Sequence, residues 1–177
     1  MMSYNSANEP RFERWLEVHR GIIFKVTRSF ARTPTESADL QQEIRLQIWN
    51  SLSAYSGRAK ESTWVYRVCL NTAIAWRRTV ARREARIEPG MDLSHMTTSA
   101  ASPADSAGQR ELLEKLYAAI QGIGDFDRAL VLLMLDGLPY REIAEVTGLS
   151  ETHVGVALSR ARKRLAKRMK GITDELE

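Results

Sequence analysis

This chain of 177 residues contains one cysteine, Cys69, so no internal disulfide can form and nothing points to an oxidising compartment. It has no apolar run long enough to span a bilayer, and the longest apolar cluster, Ala129 to Leu135, has the length of a helix face or core segment. The opening residues MMSYNSANEP are polar and lack the apolar centre of a targeting peptide. A cytoplasmic location is therefore expected. The histidines His19, His95 and His153 lie far apart, with no HExxH, no paired cysteine, no nucleophile motif and no glycine-rich phosphate loop. No metal, cofactor, small-molecule substrate or enzymatic activity is expected. Period-two alternation is missing as well, which leaves an all-α chain.

What the chain does carry is unevenly placed positive charge. The net charge is +4, but Arg160, Arg162, Lys163, Arg164, Lys167, Arg168 and Lys170 follow one another without an acid between them, and Arg77, Arg78, Arg82, Arg83 and Arg86 form a second run broken only by Glu84. Fields of this kind suit phosphate, and two of them suggest two contact sites. The C-terminal run sits in a recognisable frame, PYREIAEVTGLSETHVGVALSRARKRLAKRMK from Pro139 to Lys170. Ile143, Ala144 and Val146 give a short first helix its apolar face, Gly148 permits the positive φ of a sharp turn, and Ser150 can cap the helix that follows. Val154, Leu158, Ala161 and Leu165 commit one stripe of that helix to packing. The opposite face carries Glu151, Thr152, His153, Gly155, Val156, Ser159, Arg160 and Lys163. Small and hydrogen-bonding groups lie at its N-terminal end, where a recognition helix enters a major groove, and cations lie further along for phosphates. An ordinary helical hairpin with a solvated basic face is the plainer alternative.

Upstream, Phe12, Trp15, Leu16, His19, Ile22, Ile23, Val26 and Phe30 recur at helical spacing and predict a helix from Phe12 to Phe30. Leu40, Ile44, Ile48 and Leu52 predict another from about Glu36 to Leu52. A polar loop, Tyr55 to Glu61, leads to Ser62 as cap of a third helix that buries Val65, Val68, Cys69, Thr72 and Trp76 or their near neighbours. Trp64 reads as a core anchor ahead of a base-stacking platform. Residues Glu88 to Gly108, rich in Ser, Thr, Ala, Pro and Gly, read as a flexible linker. Two small helical domains follow, near 10–86 and 110–171, with 87–109 joining them. In the second, Leu112, Leu113, Leu116, Tyr117 and Ile120 open the helical pattern, and Asp125 is the expected cap of a helix from Phe126 to Leu135. The tail residues Asp174, Glu175 and Glu177 are expected to fray.

With this layout, the residues resemble a known family, the bacterial sigma factors of the extracytoplasmic-function group, from about Phe12 to Met169. Asp39-Leu40-Gln41-Gln42-Glu43-Ile44 with Trp49 is similar to the family's polymerase-binding helix, and Thr63-Trp64-Val65-Tyr66-Arg67-Val68 with Asn71 to its signature helix. Gly137 to Ala144 and Arg160 to Leu165 look like its upstream-element reader. The chain departs from the family pattern at Gln41, Arg45, Glu61 and Ser62, and at Gly124, where a proline is common. The resemblance implies a subunit that binds core RNA polymerase, directs it to a promoter and helps open the duplex. Carried over by position, Asp39, Gln42, Glu43 and Leu46 would meet the clamp helices of the largest polymerase subunit. Tyr55, Arg58, Lys60, Tyr66, Arg67, Asn71, Arg77 and Arg78 would hold the non-template strand of the −10 element. Arg141, with Glu151, Thr152, His153, Val156, Ser159, Arg160 and Lys163, would read the −35 element. It further implies an anti-sigma protein as a partner and a monomer when free. A helix-turn-helix regulator that is not a polymerase subunit explains Pro139 to Lys170 equally well, but leaves Asp39 to Trp49 and Thr63 to Asn71 as coincidence.

Overall fold

The expected Phe12 to Phe30 helix is two helices, α1 (Glu9–Val18) and α2 (Arg20–Phe30), separated at His19. His19 leaves the helical region at φ −104° and ψ 15°, and its carbonyl accepts from the amides of both Ile22 (2.9 Å) and Ile23 (3.2 Å). The break lets the two halves of one apolar stripe face different partners. Phe12 meets Trp49 edge-on at 5.1 Å, and Trp15 meets Tyr55 at 4.9 Å and Trp64 at 5.3 Å. Ile22, Ile23, Val26 and Phe30 turn into the core. The computed structural model describes residues 8–86 and 107–174, and no strand occurs among them.

α3 (Pro34–Ser51) starts at a cap not foreseen from sequence: Thr33 Oγ1 accepts from the Glu36 amide at 3.1 Å, and the Glu36 carboxylate accepts from the Arg32 amide at 2.7 Å. Leu40, Ile44 and Ile48 are buried at every fourth position as expected. After a 3₁₀ turn, Leu52–Ala54, and the polar loop, α4 runs Glu61–Glu84. Ser62 is not its cap. The N-cap is Lys60, without a side-chain bond, and Glu61 occupies the first turn, where its carboxylate complements the helix dipole and pairs with Arg14 at 2.7 Å. Val65, Cys69 and Thr72 are buried as expected. Val68 and Trp76 are only half-buried, and Tyr66, Leu70 and Ala73 fill the remaining interior positions.

The second domain comprises α5 (Ala107–Gln121), α6 (Asp125–Leu135), α7 (Tyr140–Thr147) and α8 (Glu151–Asp174). Residues 107–109, expected in the linker, are already helical, whereas 87–106, including His95, lie outside the described residues, as do Glu175 and Glu177 of the tail. Gly124, not Asp125, is the N-cap of α6, and Asp125 sits in its first turn. There it stands 3.4 Å from Arg128, which is the buried keystone of the corner. The Arg128 guanidinium donates to the carbonyls of Ile120 (3.1 Å), Gln121 (2.7 Å) and Ile123 (3.0 Å) at the end of α5 and in the turn after it, where helical partners run out. Burial lowers its pKa to about 10, against the pull of Asp125, so it remains cationic at neutral pH.

The two domains pack on each other. Their buried apolar residues form one continuous cluster, with α2 against α5 and α6, and α4 against α6 and α7. Arg128 lies 4.8 Å from the Phe30 ring centroid and Arg28 4.2 Å from that of Tyr117, contacts that join cation and ring across the boundary. Gln121 Nε2 donates to the Arg28 and Ala31 carbonyls at 2.8 and 3.0 Å.

Replacing Arg128 by Met keeps an unbranched apolar stem and removes the donors, so it should destabilise the chain by roughly 2–4 kcal/mol in urea unfolding, since part-buried and buried carbonyls lose their guanidinium partner. His19 is buried, and burial holds its pKa below the usual 6.5. The fold therefore disfavours the protonated ring: stability is unaffected above 6.5 and declines as pH falls from there through the lowered folded value. The thermal midpoint should drop between about pH 7.5 and about pH 5.5, and His19→Leu should reduce that drop.

Candidate nucleic-acid interface

The reading unit is built as its spacing suggests. α7 buries Ile143 and Val146 and ends at Gly148 with φ 77°, a backbone state that glycine enters without steric penalty. The Gly148 amide bonds to the Ala144 carbonyl at 2.8 Å. Ser150 Oγ then accepts from the His153 amide at 3.4 Å and lies 2.9 Å from His153 Nδ1. The same hydroxyl caps α8 and orients the imidazole. Tyr140 of α7 lies beside Gly155, where an added Cβ would reach its ring at 3.4 Å, in ordinary contact.

Val154, Leu158 and Ala161 are buried and Leu165 packs partly against them, which turns the other side of α8 outward. Glu151, Thr152, His153, Val156, Ser159, Arg160 and Lys163 are all exposed there, and Gly155 is half-exposed among them. Arg141, also exposed, lies 3.6 Å from Glu145 one turn on. The basic run does not act as a block. Arg164 pairs with Asp127 at 2.5 Å, and Arg162 Nε points at Met134 Sδ at 2.8 Å, so these two cations tie α8 back to α6.

In the first domain, Asp39, Gln42 and Leu46 are exposed on α3 beside its buried stripe, with Glu43 half-buried and accepting from Gln47 at 2.9 Å. Between α3 and α4 runs an open groove of about 700 Å³. Asp39 and Glu43 line it from α3, and Asn71, Trp76 and Arg83 from α4. Asn71, grouped by sequence with the strand-binding residues, thus stands beside the α3 carboxylates.

The remaining strand-binding candidates divide by environment. Arg58, Lys60, Arg67 and Arg78 are exposed. Tyr55 is half-buried, edge-on to Trp15 and Trp64, and its hydroxyl donates to the Ala59 carbonyl at 2.7 Å, which braces the loop. Trp64 shares that ring cluster and is half-buried. Arg77 lies inside the fold, 3.8 Å from Glu36, and there it supports the α3 to α4 packing. The acid at Glu61, a departure from the family pattern, is neutralised by Arg14, whose hydrogen bond holds its carboxyl below the ordinary range.

Tyr66 is buried by the second domain. Its hydroxyl and Lys25 Nζ both donate to the Asp136 carboxylate, while Lys60 Nζ and Thr63 Oγ1 (3.0 Å) donate to Glu142. Burial and then the Asp136 bond push the phenol pKa up, and the Lys60 bond, then the Thr63 bond, hold Glu142 down against burial. Sequence reasoning missed Lys25, Thr63, Asp136 and Glu142 as a set, because no periodicity signals a contact between carboxylates around a turn and donors on another domain. Among the described residues no group of acidic, histidine or cysteine side chains could hold a metal, and no helix is long and apolar enough to cross a membrane. Cys69 is buried, and its thiol pKa is raised by that burial.

Two family models match: Sigma-70 region 2 over residues 15–83 and Sigma-70, region 4 over residues 113–165. The chain is 25% identical over 171 residues to the ECF RNA polymerase sigma factor SigX of Bacillus subtilis, covering 95% of this chain and 88% of that one. It is 29% identical over 170 residues to the RNA polymerase sigma factor YlaC of the same organism, covering 95% of each. Its fold is similar to that of the sigma factor RpoE from Bartonella quintana, solved with the anti-sigma factor NepR. The TM-score is 0.70 at 18% identity, over 90% of this chain and 97% of that one.

Gly148→Ala should leave the fold intact but cost roughly 1–2 kcal/mol in urea unfolding, because open space around the site cannot relieve a side chain at positive φ.

Proposed function

Since this chain belongs to the extracytoplasmic-function sigma factors, with sigma-70 regions 2 and 4 in order, and is a non-enzymatic polymerase subunit that directs transcription initiation, we propose how its residues divide that task. Residues 10–86 engage core polymerase and the −10 element, and residues 110–171 read the −35 element. The observation that carries this division is the outward face of α8: Glu151, Thr152, His153, Val156 and Ser159 are exposed together at the N-terminal half of a helix whose other side is buried. Such a face can enter a major groove, with Thr152, His153 and Val156 against base edges and Arg141, Arg160 and Lys163 on phosphates.

Asp39, Gln42, Glu43 and Leu46 meet the clamp helices of the largest polymerase subunit. An exposed leucine beside carboxylates fits a mixed apolar and polar docking patch. Asn71 extends that patch across the groove. Arg58, Lys60, Arg67 and Arg78 supply positive charge along the path of the displaced strand, and Tyr66 supplies a ring, as capture of unstacked bases requires. Arg77 positions α4 from inside. The protein works in the cytoplasm, as a monomer when free, and takes an anti-sigma protein as a further partner, as the Bartonella RpoE does in its complex with NepR.

Run-off transcription with purified core polymerase on genomic DNA, followed by mapping of start sites, tests the assignment. New starts that require the chain support it, and identical starts from core alone defeat it. In binding assays on a mapped promoter duplex, Arg160→Ala and Lys163→Ala should each weaken binding by roughly three- to tenfold and lower the salt slope by about 1. Thr152, His153 and Val156 substitutions should instead change which sequences are preferred, by roughly 1–3 kcal/mol at a contacted base pair.

A further inference from the structure

We propose that His153 reads the upstream element as a hydrogen-bond donor through Nε2, and that Ser150, in capping α8, fixes it in that role, so that the base His153 meets is a guanine. The proposal rests on the assignment of the α8 N-terminal face to the −35 element.

The first turn of α8 gives the two ring nitrogens different roles. Ser150 Oγ lies 2.9 Å from His153 Nδ1 and accepts from the His153 amide at 3.4 Å. Nδ1 is thus tied back to the start of its own helix, and on this exposed residue Nε2 is the nitrogen left for a base edge. A ring with one N–H satisfies the 2.9 Å contact in two ways. In the first, the hydroxyl accepts from the amide and donates to Nδ1, and the ring hydrogen sits on Nε2. In the second, Nδ1–H donates to Oγ, which then accepts twice while its own hydrogen has no acceptor among the described residues. Only the first uses both capacities of the hydroxyl within the turn. The helix field favours it too. The unpaired amides of the first turn make this end positive, which attracts the Nδ1 lone pair and repels an N–H aimed at the same point. A ring protonated on both nitrogens would also donate from Nε2. Nε2 is therefore a donor in each arrangement that the cap supports.

A donor of fixed sense discriminates among bases in the major groove. Guanine presents N7 with a second acceptor, O6, beside it. In adenine an amino donor stands beside N7 and opposes the approach, thymine offers one acceptor, and cytosine offers only an amino group, which would meet Nε2–H hydrogen to hydrogen. The neighbouring reading residues lack such a sense. The Thr152 hydroxyl both donates and accepts, and Val156, one turn on and 48% exposed, offers only apolar contact. Among these three the histidine alone sets a hydrogen-bond polarity.

Two measurements test the proposal. Proton–nitrogen NMR of the full-length chain carrying isotope-labelled histidine reads the ring hydrogens, with the His153 signals identified by their loss in His153→Gln. Nε2 should carry a hydrogen. Binding by the chain with core polymerase is then measured on a mapped promoter in which each −35 base pair is replaced in turn, which locates the pair whose preference His153→Ala removes. At that pair wild type should favour guanine, and replacing N7 of that guanine by carbon should weaken binding about fivefold in wild type and less than about twofold in His153→Ala. Ser150→Ala should bring the wild-type loss below about twofold, and Ser150→Thr, which keeps the hydroxyl and the cap, should restore it. A bare Nε2, or an equal loss in wild type and His153→Ala at a pair that His153 still selects, overturns the donor role and retains the reading face. A full loss in Ser150→Ala overturns the part given to Ser150. Upstream preferences that His153→Ala leaves unchanged at every pair overturn both the proposal and the placing of His153 against a base.

Discussion

The second domain is seated on the first around a buried cation. Arg128 closes the end of α5, meets Asp125 in the first turn of α6 and lies against Phe30 of the other domain. One guanidinium thereby fixes the corner of the second domain and its seat on the first. Taking a guanidinium out of water is costly, and the downward pull on its pKa reflects that cost; three carbonyls, a carboxylate and a ring face compensate it. With the corner fixed, α6 leads into a turn whose carboxylates reach α4, and α8 is packed so that its reading face looks outward.

Function follows from how few faces these helices leave free. α8 spends one stripe on the core and two of its cations on α6, leaving a narrow strip for bases and phosphates. α4 is used harder. One side is core, one borders the groove next to Asp39 and Glu43, and its N-terminal end meets the second domain.

Much of this was legible in the sequence because it depends on local rules. The four-residue spacing of Leu40, Ile44 and Ile48, the left-handed Gly148, the Ser150 cap and the stripe from Val154 to Leu165 are each decided within a few residues of themselves. Less legible were features decided at a distance. The stripe from Phe12 to Phe30 is continuous in sequence, yet its halves pack on different partners, so the break at His19 has no local signature beyond a glycine two residues later. Ser62 and Asp125 look like caps, but α4 begins at Glu61, which pairs with Arg14 of another helix, and α6 begins at Asp125 after the Gly124 cap, with the acid paired to Arg128 one turn on. Arg77 and Tyr66 look like surface groups by type; only packing shows one inside the fold and the other beneath a second domain.

The most direct measurement of this account is the distance between fluorophores on cysteines introduced at Ser56, in the polar loop, and Glu145, on α7, both exposed, in the free chain and in its Arg128→Met variant. The native Cys69 is buried and should not compete for label. The account predicts a short distance in the free chain, as packing of α4 on α7 requires, and a longer one in the variant. A long distance in the free chain, or one unchanged by the loss of Arg128, would contradict it.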